Sequence, residues 1–223
     1  MMTAPAHAMP LPDTMRSFVA ILSNDATAAH AHARTLARLE GADAARNASD
    51  AVHHLCMLHG RHPGVVDHAA ARATELVSRK ALFAIAEAFA VERDLMARLV
   101  VAAGPIPSTP GQAETEASVV GQRHAIDMLA QSDRGGCAVG AALAVVLDWH
   151  AVRRVLDATA RRFGVEATKS VLPEQVALVE IATRACATPP TERALLFGAQ
   201  QIADQHRGLW DLLEARAKAR GPY

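Results

Sequence analysis

Apolar residues recur at helical spacing along almost the whole chain, and no stretch alternates apolar and polar residues over the length of a strand. The clearest pattern runs from Cys137 to Phe163. Its first eleven residues carry no charge, and its later residues place an apolar stripe opposite a charged one. This change is typical of a helix buried at one end and partly solvated at the other. Because the uncharged run is shorter than the ~20 residues that span a bilayer, the pattern predicts the central helix of a bundle.

The same spacing, together with capping and turn residues, predicts further helices. They are expected over residues 14–40, 46–59, 65–103, 113–131, 173–186 and 191–219. Ser23 and Asn24 are polar enough to divide the first of these, and 65–103 is either one long helix or two. Residues 132–136 are interpreted as a break, since an unbroken helix over 113–163 would be ~75 Å long.

These elements predict an all-α protein, an antiparallel bundle of about six to seven helices, for which a ferritin-like arrangement is one candidate. Short connections between helices favour antiparallel neighbours. The proline-containing residues 1–12 are predicted to be a disordered tail, and residues 13–220 a single all-helical domain.

Composition and charge narrow the class of protein. The chain has 23 basic residues (Lys and Arg) and 23 acidic residues (Asp and Glu), so its formal net charge is zero. This balance argues against nucleic-acid binding. The three cysteines form no CxxC pair and favour free thiols in a reducing compartment. The N-terminus has no signal-peptide pattern. We therefore expect a cytoplasmic protein without a membrane partner, whose apolar helix faces would also suit a homo-oligomer.

Four polar side chains interrupt the apolar stripes and are the candidate site. They are Glu92, His124, Asp148 and His206. Three lie near the midpoints of their predicted helices, so antiparallel packing would bring them to one level. Carboxylates and imidazoles that converge inside a bundle can bind iron or manganese, or a small ligand. His32 is a candidate fifth member, and Glu116 and Asp127 are candidate supports.

The alternative is that these groups are structural and that the bundle is a non-catalytic interaction or scaffolding protein. A ferritin-like di-iron site needs two inward ExxH pairs, and the predicted inward faces contain none. Asp50 and His53 have a related spacing but are predicted to face solvent. His59 is interpreted as a cation near a helix C-terminus. Phosphate-loop, dinucleotide, nucleophile-elbow and HExxH motifs are absent.

Three segments carry a resemblance to a known family: HHLCMLHGRHPGVVDHA, GPIPSTPGQAE and QRHAIDMLAQSDRGGC. They resemble a family of uncharacterised bacterial proteins of about this length, and the resemblance covers most of the chain. It implies no activity. The helix lengths are also similar to those of ferritin-like and haem-oxygenase-like bundles, which is an analogy of architecture alone.

Overall fold

The computed structural model describes residues 11–41 and 43–221, so most of the predicted N-terminal tail lies outside the described residues. The described ranges contain nine α-helices and no strand, which confirms the all-α prediction. The helices are α1 (Asp13–Asp25), α2 (Ala31–Arg38), α3 (Ala44–His59), α4 (Val65–Arg72), α5 (Leu76–Ala103), α6 (Gln112–Ala130), α7 (Cys137–Phe163), α8 (Gln175–Ala185) and α9 (Pro189–Arg220).

The helix count exceeds six to seven because two of the long periodic segments are divided. A single 3₁₀ turn, Thr27–Ala29, separates α1 from α2. A short extended link separates α4 from α5, and the side chain of Glu75 accepts hydrogen bonds from the first backbone N–H groups of α5. Residues 113–163 form two helices, α6 and α7, as the break at 132–136 predicted.

Helix α7 is the centre of the fold, as its sequence predicted, and it packs most extensively against α9. Gly140 of α7 lies against the backbone of Leu195, and Gly198 of α9 lies against the backbone of Cys137. A Cβ atom at either glycine would approach a carbonyl oxygen to 2.2–2.3 Å. The absence of side chains at these two positions therefore lets the helix backbones touch.

The direction of the helices is mixed. Helix α3 is antiparallel to α9, because Asp50 contacts Arg216 whereas His59 contacts His206. The central pair differs from the expected antiparallel arrangement. Helices α7 and α9 run parallel to each other. Gly140 lies beside Leu195 early in both helices, and Asp148 lies beside His206 farther along both. Helix α8 and its flanking segments return the chain between the two, which permits parallel packing.

Helix α6 has the opposite phase to the one that the sequence analysis assigned. Its buried residues are Thr115, Val119, Ile126, Leu129 and Ala130. His124, which was predicted to face inward, is exposed, and so are Ala117, Val120 and Met128 on the same side of the helix. Both faces of this helix carry apolar residues, so periodicity alone did not distinguish them.

None of the helices in the described part of the chain combines the length and the apolar character needed to cross a membrane.

Candidate functional site

Asp148 and His206 meet in the core, where α7 and α9 run side by side. His206 Nδ1 lies 2.6 Å from Asp148 Oδ2. Both residues are almost fully buried, at 3% and 2% exposure. A buried carboxylate needs hydrogen bonds that replace its lost contacts with water. The ring N–H of His206 donates one such charge-assisted hydrogen bond. The sequence analysis predicted that both side chains face inward, and the burial confirms it.

Thr27 completes the environment of Asp148 from the 3₁₀ turn between α1 and α2. Its backbone N–H donates to Oδ1 at 3.1 Å, and its hydroxyl donates to Oδ2 at 2.5 Å. The Thr27 hydroxyl in turn accepts a hydrogen bond from Trp210 Nε1 at 2.8 Å. Both oxygens of the carboxylate are therefore satisfied without a cationic partner.

His59 extends this chain on the other side of His206. The two Nε2 atoms are 2.9 Å apart, and the His59 ring packs edge-on against the rings of Trp149 and Phe89. Burial lowers the pKa of His59 well below its usual value, and His206 and Arg93 lower it further. The interpretation of His59 as a cation near the C-terminus of α3 is therefore wrong, because the ring of His59 is buried.

The hydrogen bonds determine which ring nitrogens carry protons. His206 Nδ1–H donates to the carboxylate of Asp148, so a neutral His206 ring has an unprotonated Nε2. That atom accepts from His59 Nε2–H, which leaves Nδ1 of His59 as a base. A proton that arrives at His59 can pass to His206, where it faces Asp148. We call Thr27, Asp148, His206 and His59 the Asp–His–His chain.

A cavity of about 210 Å³ lies at the His59 end of the Asp–His–His chain. It is enclosed by the end of α3, the following loop, α4, α5 and α6. Its charged lining residues are Arg61, Arg93, Arg123 and Asp127, with His59 and His68 beside them. The lining therefore has an excess of guanidinium groups over carboxylates, although Asp67 pairs with Arg93 at 3.0 Å. This charge balance suits a small anionic ligand.

His59 predicts a measurable dependence of stability on pH. The pKa of His59 is lowered in the folded state, so the unfolded chain binds a proton first as the pH falls below about 6.5. His59 should therefore reduce the free energy of unfolding by up to ~1.4 kcal/mol per pH unit below that value. We expect urea titrations between pH 7.5 and 5 to show a shallower decline in His59→Gln than in the wild type.

The matched control for this measurement is His124→Gln, since His124 is exposed on α6. That variant should keep the wild-type slope of stability against pH. An equal slope for His59→Gln and the wild type would contradict a neutral, buried His59.

Glu92 is buried as predicted, but it belongs to a separate network. Arg153 Nη1 donates to its two oxygens at 2.8 and 3.0 Å, Ser170 Oγ donates at 2.7 Å, and Trp149 Nε1 donates at 3.1 Å. These four hydrogen bonds satisfy the carboxylate. Its arginine partner is Arg153 of α7.

The four predicted ligands do not form one cluster. Asp148 contacts His206, Glu92 is held by Arg153, and His124 is exposed on the outer face of α6. The prediction that His124 faces inward is wrong, because Val119 and Ile126 occupy the inner face of its helix. His32 is half-buried on α2, and Glu116 is bonded by Gln112 within α6.

Asp50 is buried as well, which corrects its assignment to the solvent face of α3. Arg216 and Arg220 both donate to its carboxylate, and His54 lies 3.4 Å away. The prediction was wrong because α3 packs against α5, α6, α7 and α9. The Nε2 atom of His53 contacts the carbonyl oxygen of Gly104 at 2.8 Å.

One group of three side chains within residues 11–41 and 43–221 has ligand atoms close enough to hold a metal ion. It consists of His30, Asp211 and Glu214, whose ligand atoms all lie within 4.8 Å of one another. His30 Nδ1 accepts from the backbone N–H of His32, so the proton of its neutral ring is on Nε2, which faces Asp211 at 3.0 Å. A metal ion bound to Nε2 would displace that proton to Nδ1. A protonated Nδ1 could not accept the hydrogen bond from the backbone of His32.

Sequence reasoning missed Thr27 and His59 as members of the site. His59 follows Val52 and Leu55 at helical spacing, and that position was a usable signal of burial. Thr27 is small, uncharged and located in a connection, so no periodic pattern marked it. Its role depends on the packing of the 3₁₀ turn against α7.

Comparison with known proteins identifies the family. No curated protein and no solved structure matches the chain. A family model described as a family of unknown function (DUF6975) matches residues 22–221. This match confirms the resemblance to an uncharacterised family and covers nearly all of the described helices. The chain therefore belongs to the family of unknown function DUF6975.

Proposed function

We propose that the protein binds a small carboxylate-bearing molecule in the cavity beside His59 and exchanges a proton with it. The observation that supports this proposal is the continuity of the Asp–His–His chain with a cavity lined by arginines. The Asp148 carboxylate is at the far end of the chain, and His59 is at the cavity end. This arrangement can accept a proton without leaving a charged imidazole uncompensated in the core.

The arginines would orient the ligand and His59 would respond to its charge. Arg123 donates to the carbonyl of Met57 at 3.4 Å, a weak contact that leaves most of its donors available. A carboxylate bound in the cavity would favour the protonated form of His59 and oppose the effect of burial. Binding should therefore be accompanied by proton uptake.

Isothermal titration calorimetry with malonate and acetate tests this proposal. Titrations in buffers of different ionisation enthalpy report the number of protons taken up on binding. We expect 1:1 binding to the wild type with net proton uptake near pH 7, and tighter binding at pH 6 than at pH 8. Arg123→Gln should weaken binding at least tenfold, which is ~1.4 kcal/mol, and His59→Gln should remove the proton uptake.

Arg79→Gln is the control for this experiment, because Arg79 is exposed on α5 and does not line the cavity. It should leave affinity and proton uptake unchanged. Absence of binding by both carboxylates, or proton uptake that persists in His59→Gln, would refute the proposal.

Metal binding is the second candidate function, and the group His30, Asp211 and Glu214 favours it. Its ligand types suit iron or manganese, which the sequence analysis expected at Glu92, His124, Asp148 and His206. Elemental analysis of purified protein tests it: near-stoichiometric metal that is lost in Asp211→Asn supports this function. If the metal is lost in Glu92→Ala but retained in Asp211→Asn, the result would favour the ligands predicted from the sequence.

A scaffolding role is supported if His59→Gln and Glu92→Ala only lower stability.

For the wider context, we infer a cytoplasmic protein with one domain over residues 13–220 that does not bind nucleic acid and that can form a homo-oligomer. The zero net charge supports the third of these inferences.

A further inference from the structure

A second cavity, of about 430 Å³, lies between α2 and α7 and shares no lining residue with the cavity beside His59. Thr27, which donates to Asp148, forms part of its wall. Alanines of both helices, including Ala33, Ala37 and Ala151, make up its apolar lining. Its volume is within the ~300–1,000 Å³ typical of ligand sites.

The charges around this second cavity are unbalanced. Its charged lining residues are Arg34, Arg38, Arg154, Arg161 and Asp157. The one carboxylate, Asp157, already accepts a hydrogen bond from Arg153 at 2.7 Å. In a chain with zero formal net charge, four guanidinium groups around one small cavity are a local concentration of positive charge.

Most of these guanidinium groups have no anionic partner. Arg38 pairs with Glu40, and Arg34 donates to the backbone carbonyls of Ala28 and Ala29. Arg154 and Arg161 form no hydrogen bond or ion pair with any residue in the described ranges. Like charges held close together repel one another, so an anion between them would lower the energy of the arrangement.

We propose that this second cavity binds the phosphate group of a small phosphate monoester. Guanidinium groups bind phosphate oxygens through paired N–H donors, which makes arginine well suited to phosphate recognition. Arg34, Arg154 and Arg161 would hold the phosphate. The alanines would contact the apolar part of the ester.

Isothermal titration calorimetry with phenyl phosphate tests this proposal, because that probe combines a phosphate with a small apolar group. We expect saturable 1:1 binding to the wild type and at least tenfold weaker binding to the double variant Arg154→Gln, Arg161→Gln. Both arginines are exposed, so the variant should fold. Inorganic phosphate should bind more weakly than phenyl phosphate.

Arg162→Gln is the matched control, since Arg162 is exposed on the same helix but does not line the cavity. It should bind phenyl phosphate as the wild type does. Equal weakening by Arg162→Gln would indicate attraction by overall charge and overturn the proposal. Weakening by His59→Gln but not by the double variant would place the ligand in the first cavity and also overturn it.

A lipid headgroup presents the same phosphate chemistry. Co-sedimentation with phosphatidylcholine vesicles that contain phosphatidic acid separates the two sources. We expect no co-sedimentation. Vesicle binding that is lost in the double variant, without binding of phenyl phosphate, would overturn the assignment to a small soluble ester.

Discussion

Gly140→Ala and Gly198→Ala should each destabilise the protein by about 2–3 kcal/mol, because neither site has room for a methyl group. The added Cβ would lie 2.2 Å from the carbonyl oxygen of Leu195 in the first variant and 2.3 Å from that of Cys137 in the second. These obstacles are backbone atoms, so α7 and α9 would have to move apart. The better helix propensity of alanine, ~1 kcal/mol, offsets only part of this cost. Urea unfolding monitored by circular dichroism measures the effect.

Gly121→Ala is the matched control for these two variants. Gly121 lies within α6, and apart from its own helical turn no atom of residues 11–41 or 43–221 lies within 4 Å of the position that a Cβ would take. This substitution should stabilise the protein by up to about 1 kcal/mol. A neutral or stabilising result at Gly140 would show that the contact between α7 and α9 is looser than the geometry indicates.

Asp50→Asn should cost about 3–5 kcal/mol, since it leaves two buried guanidinium groups without their counter-charge. Arg216 donates to the Asp50 carboxylate at 2.8–3.1 Å, and Arg220 Nη1 donates at 2.6 Å. The side chains of these arginines are only 3% and 2% exposed. Thermal and urea unfolding should both show the loss.

Acid titration gives an independent test of the Asp50 network. Burial raises the pKa of Asp50, but hydrogen bonds from Arg216 and Arg220 outweigh it, so the pKa in the folded protein is lower than the usual 3.8. The stability that Asp50 contributes is therefore present above about pH 3.8 and is lost as the pH falls through the folded-state pKa. Asp50→Asn should consequently have a shallower decline in stability below pH 4 than the wild type.

Asp204→Asn is the control for both measurements, because Asp204 is exposed on α9 and accepts hydrogen bonds from the neutral side chains of Gln200 and Gln201. Its effect should be within ~0.5 kcal/mol. If Asp50→Asn were equally mild, the two arginines would have to be solvated or paired elsewhere.

Several features of the fold could be predicted because local pattern and tertiary environment agree at those positions. In the sequence, Gly136 comes just before the pattern of α7 and Gly164 comes just after it, and the helix runs from Cys137 to Phe163. The inward placement of Glu92, Asp148 and His206 followed from apolar neighbours on the same helix face. These residues stand on helices with one clear apolar stripe.

The partners of those residues could not be predicted, because they depend on how helices are placed against one another. The predicted orientation of His124 was wrong because α6 is apolar on both faces. Val120 and Met128 lie on its outer face, and Val119 and Ile126 lie on its inner face. Periodicity also cannot show that α7 and α9 run in the same direction. Asp148 meets His206 where α7 and α9 pack, whereas Glu92 meets Arg153 where α5 and α7 pack.

The placement of the two tryptophans gives the Asp–His–His chain built-in optical reporters. Trp149 packs edge-on against His59, with ring centroids 5.4 Å apart, and Trp210 donates to Thr27 at the other end. The sequence contains no other tryptophan. Because a charged imidazole quenches nearby indole emission, fluorescence of Trp149 should follow protonation at the cavity. Emission from Trp210 should report separately on events near the second cavity, so single-tryptophan variants can resolve the two ends without any added label.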